Sequence, residues 1–355
     1  LVDSCKFTQI SEMLVAKGRA CCFHALPFGL SSAPWIFSSV MAISAKYLHM
    51  HAVYSFFYLD DILMFNFVLQ KLMNEQPLVL LFLQFAGWVI NFPKSHLPAM
   101  QRGLYIGLDI DLSQGLAFPT EKSWRNLQGM IALFMSRECA PARQWARLLG
   151  IITCLQDLTI LGPLQARTLQ FHLNAYWRNQ RNLFQSIPIT HSVKQALTWW
   201  TEPANVMSGT PLQPRPATVT EMITTDASNL GFVAIWRSQE FSGLLTTQES
   251  KSHINVLEAL CVAKALRHWE QPLMGKSVLV ETDNTSVISH INKGSGCHSY
   301  SQHAVIKEML TWCFHQGIQL RARHIPGKFN QIADLLSRST QVIPMEWTIH
   351  SSVME

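Results

Sequence analysis

The chain lacks paired cysteines. Its eight cysteines, at 5, 21, 22, 139, 154, 261, 297 and 313, form no CxxC pair and no regular framework. That excludes a disulfide-stapled secreted domain and predicts reduced thiols inside a cell, in cytoplasm or nucleus. A long hydrophobic run is also missing. The most apolar stretch, Leu78 to Ile90, is thirteen residues long, whereas a bilayer span needs about 20. A buried helix and no membrane partner are therefore expected there. The start carries no secretory signal, and it reads Leu1 rather than Met, which suggests a piece of a longer translation product.

What the chain does have is enough apolar content, 48% of 355 residues, to bury two or three cores. Its charge is unevenly spread. Residues 1–100 hold six Lys/Arg against five Asp/Glu, residues 101–217 eleven against six, and residues 218–355 eleven against twelve. The middle third, at +5, is the expected electrostatic contact for a phosphate backbone, with Arg137, Arg143, Arg147, Arg167, Arg178 and Arg181 as candidates. Solvated helical faces account for such arginines equally well.

Four acids near the C-terminus have informative surroundings. Asp226 ends the strand-like Ile223-Thr224-Thr225, and Glu258 lies in the helical stretch Ile254 to Leu260. Asp283 follows the strand Ser277 to Thr282, and Asp334 comes ten positions after His324, beyond Ile325-Pro326-Gly327. Each acid alone also suits an ordinary strand or helix end in solvent. Brought together, four carboxylates repel one another unless cations lie between them, and hard oxygen ligands suit Mg²⁺, with Mn²⁺ a substitute. A pair of such ions clamps the attacking and leaving oxygens in phosphodiester cleavage.

Nearer the N-terminus stand Leu26-Pro27-Phe28-Gly29-Leu30-Ser31-Ser32-Ala33-Pro34 and Tyr58-Leu59-Asp60-Asp61. In the first, Ser31 or Ser32 can cap a helix that has Pro34 in its first turn. In the second, apolar strand segments flank Asp60 and Asp61, which places them at the tip of a β-hairpin. Residues 113–217 hold no chemical motif. Helical patterning covers Trp124 to Met135, Ala140 to Gln156 and Asp157 to Ala175, and Pro203, Pro211, Pro214 and Pro216 suggest a linker. The tryptophans at 124, 145, 177, 199, 200 and 236 read as core rather than as base-stacking platforms. From 218 the expected order is three antiparallel strands, a helix over Ile254–Trp269, a parallel strand, two helices and a final strand over Gln319–His324.

The order of acids resembles the ribonuclease H domain of retroelement polyproteins. The phrases Thr282-Asp283-Asn284, Ala322 to Gly327 and Ala333 to Arg338 are similar to the DIRS-type branch. Over residues 18 to 112 the chain resembles the palm of a reverse transcriptase, with LPFGLSSAP as template and nucleotide platform and YLDD as metal-binding hairpin. Gly87 to Ser95 and Leu104 to Leu108 resemble the palm elements that follow. The resemblance implies an α/β (α+β) chain: a partial palm at 1–112, a helical thumb/connection at 113–217, a mixed-sheet ribonuclease H-like domain at 218–340 and a tail at 341–355. It implies two Mg²⁺ ions on Asp226, Glu258, Asp283 and Asp334, with His324 assisting, and a polymerase metal site on Asp60 and Asp61. Asn284 and Asn330 would support the carboxylates. The implied partners are RNA–DNA hybrid and template/primer nucleic acid. The departures concern polymerisation. Asp3 lies only 23 positions before Leu26 and is either a displaced third carboxylate or what remains of a lost strand, the fingers are absent, and Trp35 stands where the family has Arg. Weak or no polymerase activity is expected.

Overall fold

The computed structural model describes residues 29–178, 182–213, 218–294 and 298–326, together with the backbone of 14–16 and 19–21. It divides into two units, Leu1–Ser113 and Gln114–Glu355.

In the first unit β1 (Leu14–Ala16) and β2 (Arg19–Cys21) pair antiparallel. Helix α1 (Ala33–Met50) has Pro34 in its first turn, where a missing N–H costs nothing. Ser32 occupies the cap position, but its hydroxyl makes no cap bond, contrary to expectation. Its carbonyl instead accepts from Ile36 N–H at 3.0 Å. Strands β3 (Ser55–Tyr58) and β4 (Asp61–Met64) form the expected hairpin, with Tyr58 opposite Asp61. Helix α2 (Leu69–Phe85) then packs Val79 and Leu83 into a small core with Leu48 and Val53. The buried helix expected over Leu78–Ile90 is corrected here. The helix stops at Phe85, and Leu78, Leu81 and Phe85 are exposed. A helix that is apolar all round can press only one stripe, here 79 and 83, against so small a core. A second hairpin joins β5 (Arg102–Tyr105) to β6 (Leu108–Asp111) through Ile106 and Gly107, both at positive φ (43° and 81°), the backbone of a tight two-residue turn.

The second unit opens with β7 (Leu116–Pro119) and α3 (Glu121–Met135), whose Thr120 caps the helix by accepting from Ser123 N–H. Strand β8 (Cys139–Pro141) precedes α4 (Ala142–Gln156), so α4 starts two residues later than its apolar pattern suggests. Helix α5 covers Gly162–Tyr176, beginning five residues after the expected Asp157 because Pro163 suits a first turn and 157–161 bend. Strand β9 (Ser186–Pro188) pairs antiparallel with β8. Helices α6 (His191–Trp199) and α7 (Pro203–Val206) follow, then β10 (Thr210–Pro211), which pairs with β7. Pro203 and Pro211 thus sit in a helix and a strand rather than in a bare linker, while Pro214 and Pro216 lie outside the described residues. Trp145, Trp200 and Trp236 are buried, as the core reading requires.

The main sheet has β11 (Glu221–Ala227), β12 (Gly231–Trp236) and β13 (Gln239–Leu244) antiparallel in a meander. Then come α8 (Ile254–His268), α9 (Glu270–Leu273), β14 (Ser277–Thr282), α10 (Thr285–Lys293), α11 (Tyr300–His315) and β15 (Gln319–His324). The strand order is β13-β12-β11-β14-β15, with β14 parallel to β11 and β15 parallel to β14. This is a mixed α/β fold. Ile223, Val278 and Val280 from the sheet meet Val262 and Leu266 of α8, Val287 of α10 and Ile306 of α11 in one core. Leu161 and Leu164, the latter on α5, belong to that same core. The second half of the helical segment therefore packs on the sheet domain. Among the described residues, no helix is long and apolar enough to cross a membrane.

Candidate functional site

Parallel pairing of β14 with β11 and β15 aligns the C-terminal ends of these strands. Asp226 is the penultimate residue of β11, Asp283 follows the last residue of β14, and His324 is the last residue of β15, opposite Thr282. Ile325 N–H donates to the Thr282 carbonyl at 3.1 Å, which extends the pairing past the strand end. Helix α8 packs across β11 and β12 and faces Glu258 toward Asp226.

The result is a group of three acids whose oxygens lie within 4.8 Å of one another: Asp226 and Glu258, both buried, and Asp283, exposed. It is the one group of three potential ligands found among the described residues. They border an open cleft of about 800 Å³ with Asn229, Asn255 and Asn284. Burial, and then the charges of Asp226 and Asp283, push the Glu258 carboxyl up to about 8. Two weak contacts oppose this: Ala227 N–H and the Thr282 hydroxyl each donate to Glu258 at 3.4 Å. The donor set suits a hard divalent cation, because positive charge here would offset the neighbouring carboxylates that disfavour ionisation of Glu258.

The neighbouring residues hold this geometry. Asn284 caps α10 by accepting from Ser286 and Val287 N–H, both at 3.1 Å. Its amide donates to Asn255 Oδ1 at 3.0 Å, tying the start of α10 to the start of α8. Thr282 links Glu258 to the turn, since its oxygen also accepts from Asn284 N–H at 3.2 Å. The buried Cys261 thiol, one turn along α8 from Glu258, donates to the Asp226 carbonyl at 3.4 Å. The sequence reading singled out Asn284 but missed Thr282, Asn255 and Cys261. Adjacency to Asp283 could have flagged Thr282, and spacings of three on α8 could have flagged Asn255 and Cys261. Asp334 and Asn330 lie outside the described residues.

In the first unit, Asp60 and Asp61 are exposed at the tip between β3 and β4, where Leu59 adopts a positive φ of 51°. The Tyr105 hydroxyl donates to the Phe56 carbonyl at 3.3 Å, bringing the second hairpin against the first. Its pKa is raised by burial and then by the Asp61 carboxylate. Asp3 and most of the LPFG phrase lie outside the described residues. Of the arginines proposed to grip a duplex, Arg137, Arg143, Arg147 and Arg178 are exposed. Arg167 is half-buried, donating to Gln170 and lying over the Phe171 ring, and Arg181 is not described.

Residues 218–309 match the family described as the RNase H-like domain found in reverse transcriptase. The chain is 22% identical, over 346 residues, to the enzymatic polyprotein of Cestrum yellow leaf curling virus, covering 89% of this chain and 49% of that protein. It is 25% identical over 340 residues to the enzymatic polyprotein of cauliflower mosaic virus (strain Strasbourg), covering 89% and 45%. Among solved structures, a foamy viral protease-reverse transcriptase in complex with RNA/DNA hybrid matches with a TM-score of 0.50 at 14% identity, covering 97% of this chain and 44% of that one. The fold and sequence thus define a reverse transcriptase-type RNase H-like domain within a chain similar to viral enzymatic polyproteins. The chain spans about half the length of the curated relatives it matches.

Proposed function

We propose that the region from 218 to 340 is a ribonuclease H that hydrolyses the RNA strand of RNA–DNA hybrids, carried on a partial reverse transcriptase of a DIRS-type retroelement. The observation that carries this reading is the convergence of Asp226, Glu258 and Asp283 within 4.8 Å at the C-terminal edge of the sheet. Asp226, Glu258, Asp283 and Asp334 would hold two Mg²⁺ ions, with Mn²⁺ as a substitute. When bound, such ions supply Lewis acidity and positive charge for phosphodiester hydrolysis. The chain's own residues do the rest. Glu258 is fixed from below by Ala227 N–H and Thr282, Asn284 locks the turn that presents Asp283, and the exposed His324 stands at the same edge to take up or release a proton. Asn229, Asn255 and Asn284 line the cleft with groups that can read sugar hydroxyls and base edges, where the 2′-OH distinguishes RNA from DNA.

The narrower DIRS-type assignment rests on the Thr282-Asp283-Asn284, Ala322 to Gly327 and Ala333 to Arg338 phrases. In the first unit Asp60 and Asp61 would form the hairpin part of a polymerase metal site, and with Trp35 standing where the family has Arg, polymerisation by this chain is weak or absent. The domain division at 112 and 217, the tail from 341 and a location in cytoplasm or nucleus belong to the same reading. A second reading, a decayed remnant that binds nucleic acid without cutting it, is favoured by Trp35. Asp283→Asn separates the two. It removes a ligand charge without changing volume at an exposed site, so the folded variant should lose hybrid cleavage entirely. Unchanged cleavage by a folded Asp283→Asn protein would remove the metal-site assignment.

A further inference from the structure

Within the second unit, α5, α8 and α11 border a cavity of about 560 Å³ lined by Thr168, Arg267, Tyr300, His303, Lys307 and Trp312, among others. Nitrogen-bearing side chains gather in and behind this cavity, and one of its cations, Lys307, has no acid to match it. Lys307 is half-buried, its Nζ donates to Thr168 Oγ1 at 3.0 Å, and it has no carboxylate partner among the described residues. His303 is buried beside it, with Nε2 3.3 Å from Thr168 Oγ1 and Nδ1 3.3 Å from His290 Nε2. The two imidazoles stack with centroids 5.4 Å apart, and the buried His290 Nδ1 has no hydrogen-bond partner. The Arg167 guanidinium adds positive field on both rings, which burial holds down at about 4. The one acid lining the cavity, Glu308, is already paired with Arg267.

Even a half-buried ammonium without a counter-charge loses hydration that nothing repays. Here the ammonium faces a cavity rather than packed side chains, with a guanidinium at the rim. A compact, multivalent oxyanion would accept from Lys307, and from Arg267 by taking the place of Glu308, since guanidinium geometry matches phosphate as well as carboxylate. We propose that this cavity binds a phosphate group, as a second anion site separate from the three-acid cleft. The group comes either from a free phosphate or pyrophosphate or from a nucleic-acid backbone.

The test uses the full chain in EDTA, so that the acidic cleft takes no part. Inorganic phosphate and pyrophosphate are titrated by calorimetry while the imidazole resonances of His290 and His303 are followed by NMR. Wild type binds pyrophosphate and both resonances move. Lys307→Met binds about 10- to 100-fold more weakly, the worth of one charge-assisted hydrogen bond, and Lys307→Arg stays within a few-fold of wild type. If Lys307→Met does not fold, Arg267→Gln carries the test with the same direction of effect. A short DNA duplex then separates the sources. Displacement of pyrophosphate by duplex identifies the nucleic-acid backbone, and no displacement identifies the free anion. No binding by wild type, or equal binding by the folded variants, overturns the proposal.

Discussion

Glu258→Gln should make the metal-free protein more stable at alkaline pH, with the difference shrinking to less than about 1 kcal/mol at pH 5. Burial and the charges of Asp226 and Asp283 push the folded carboxyl up to about 8 from the ordinary 4.5, a gap of about 3.5. Between those values the folded chain keeps a proton that the unfolded chain has released. Stability therefore falls as pH rises from about 4.5 to about 8, and is flat outside that window. At about 1.4 kcal/mol for each pH unit of the gap, the ceiling is about 5 kcal/mol. Water in the open cleft will reduce it, and a loss of about 2 kcal/mol is still easily measured. Glutamine keeps the shape and the acceptor for Ala227 N–H but cannot ionise, so the variant should show no such loss. Urea denaturation in EDTA at pH 5, 7 and 9 reads this directly. Mg²⁺ at pH 9 should restore wild type by mass action and leave Glu258→Gln little changed. Parallel pH curves for the two proteins, or equal stabilisation by Mg²⁺, would refute the claim that burial and two neighbouring carboxylates crowd Glu258 in the folded state.

Leu164 on α5 is 2% exposed and shares the sheet domain's core with Ile223 and Val278. Leu164→Ala should therefore cost about 2–5 kcal/mol in urea denaturation of that domain, and a cost below about 1 kcal/mol would mean that α5 is not part of its core. Primer extension on a template with the full chain should give weak or no template-dependent product, the departure at Trp35 being the sign of it; efficient template-dependent synthesis would overturn that expectation.

The sheet domain was legible because its local signals agree with one another. The run Ile223-Thr224-Thr225 reads as strand, Ile254 to His268 carries helix-forming residues throughout, and Asn284 is a good cap in front of α10. The helix over 157–175 was misplaced at its start because apolar spacing continues through 157–161, and spacing does not register the cost of Pro163 in a helix interior. The apolar run 78–90 misled for a different reason. Composition predicts burial only if there is a partner surface, and the core of Leu48, Val53, Val79 and Leu83 is small. At the site, each acid was found from its neighbours in sequence. Spacing could have flagged Thr282 and Cys261 as residues, but their contacts depend on how α8 lies across β11 and β12. The histidine pair His290 and His303 is likewise formed only when α10 and α11 dock.

The most direct test of the account is cleavage of a labelled RNA strand, either free or in an RNA–DNA hybrid, by the whole chain with Mg²⁺ or with EDTA. The account predicts cutting of the hybrid in Mg²⁺, none in EDTA and none of free RNA. Binding of the hybrid without cutting in Mg²⁺ or Mn²⁺ would contradict it and leave the three-acid cleft without a catalytic role.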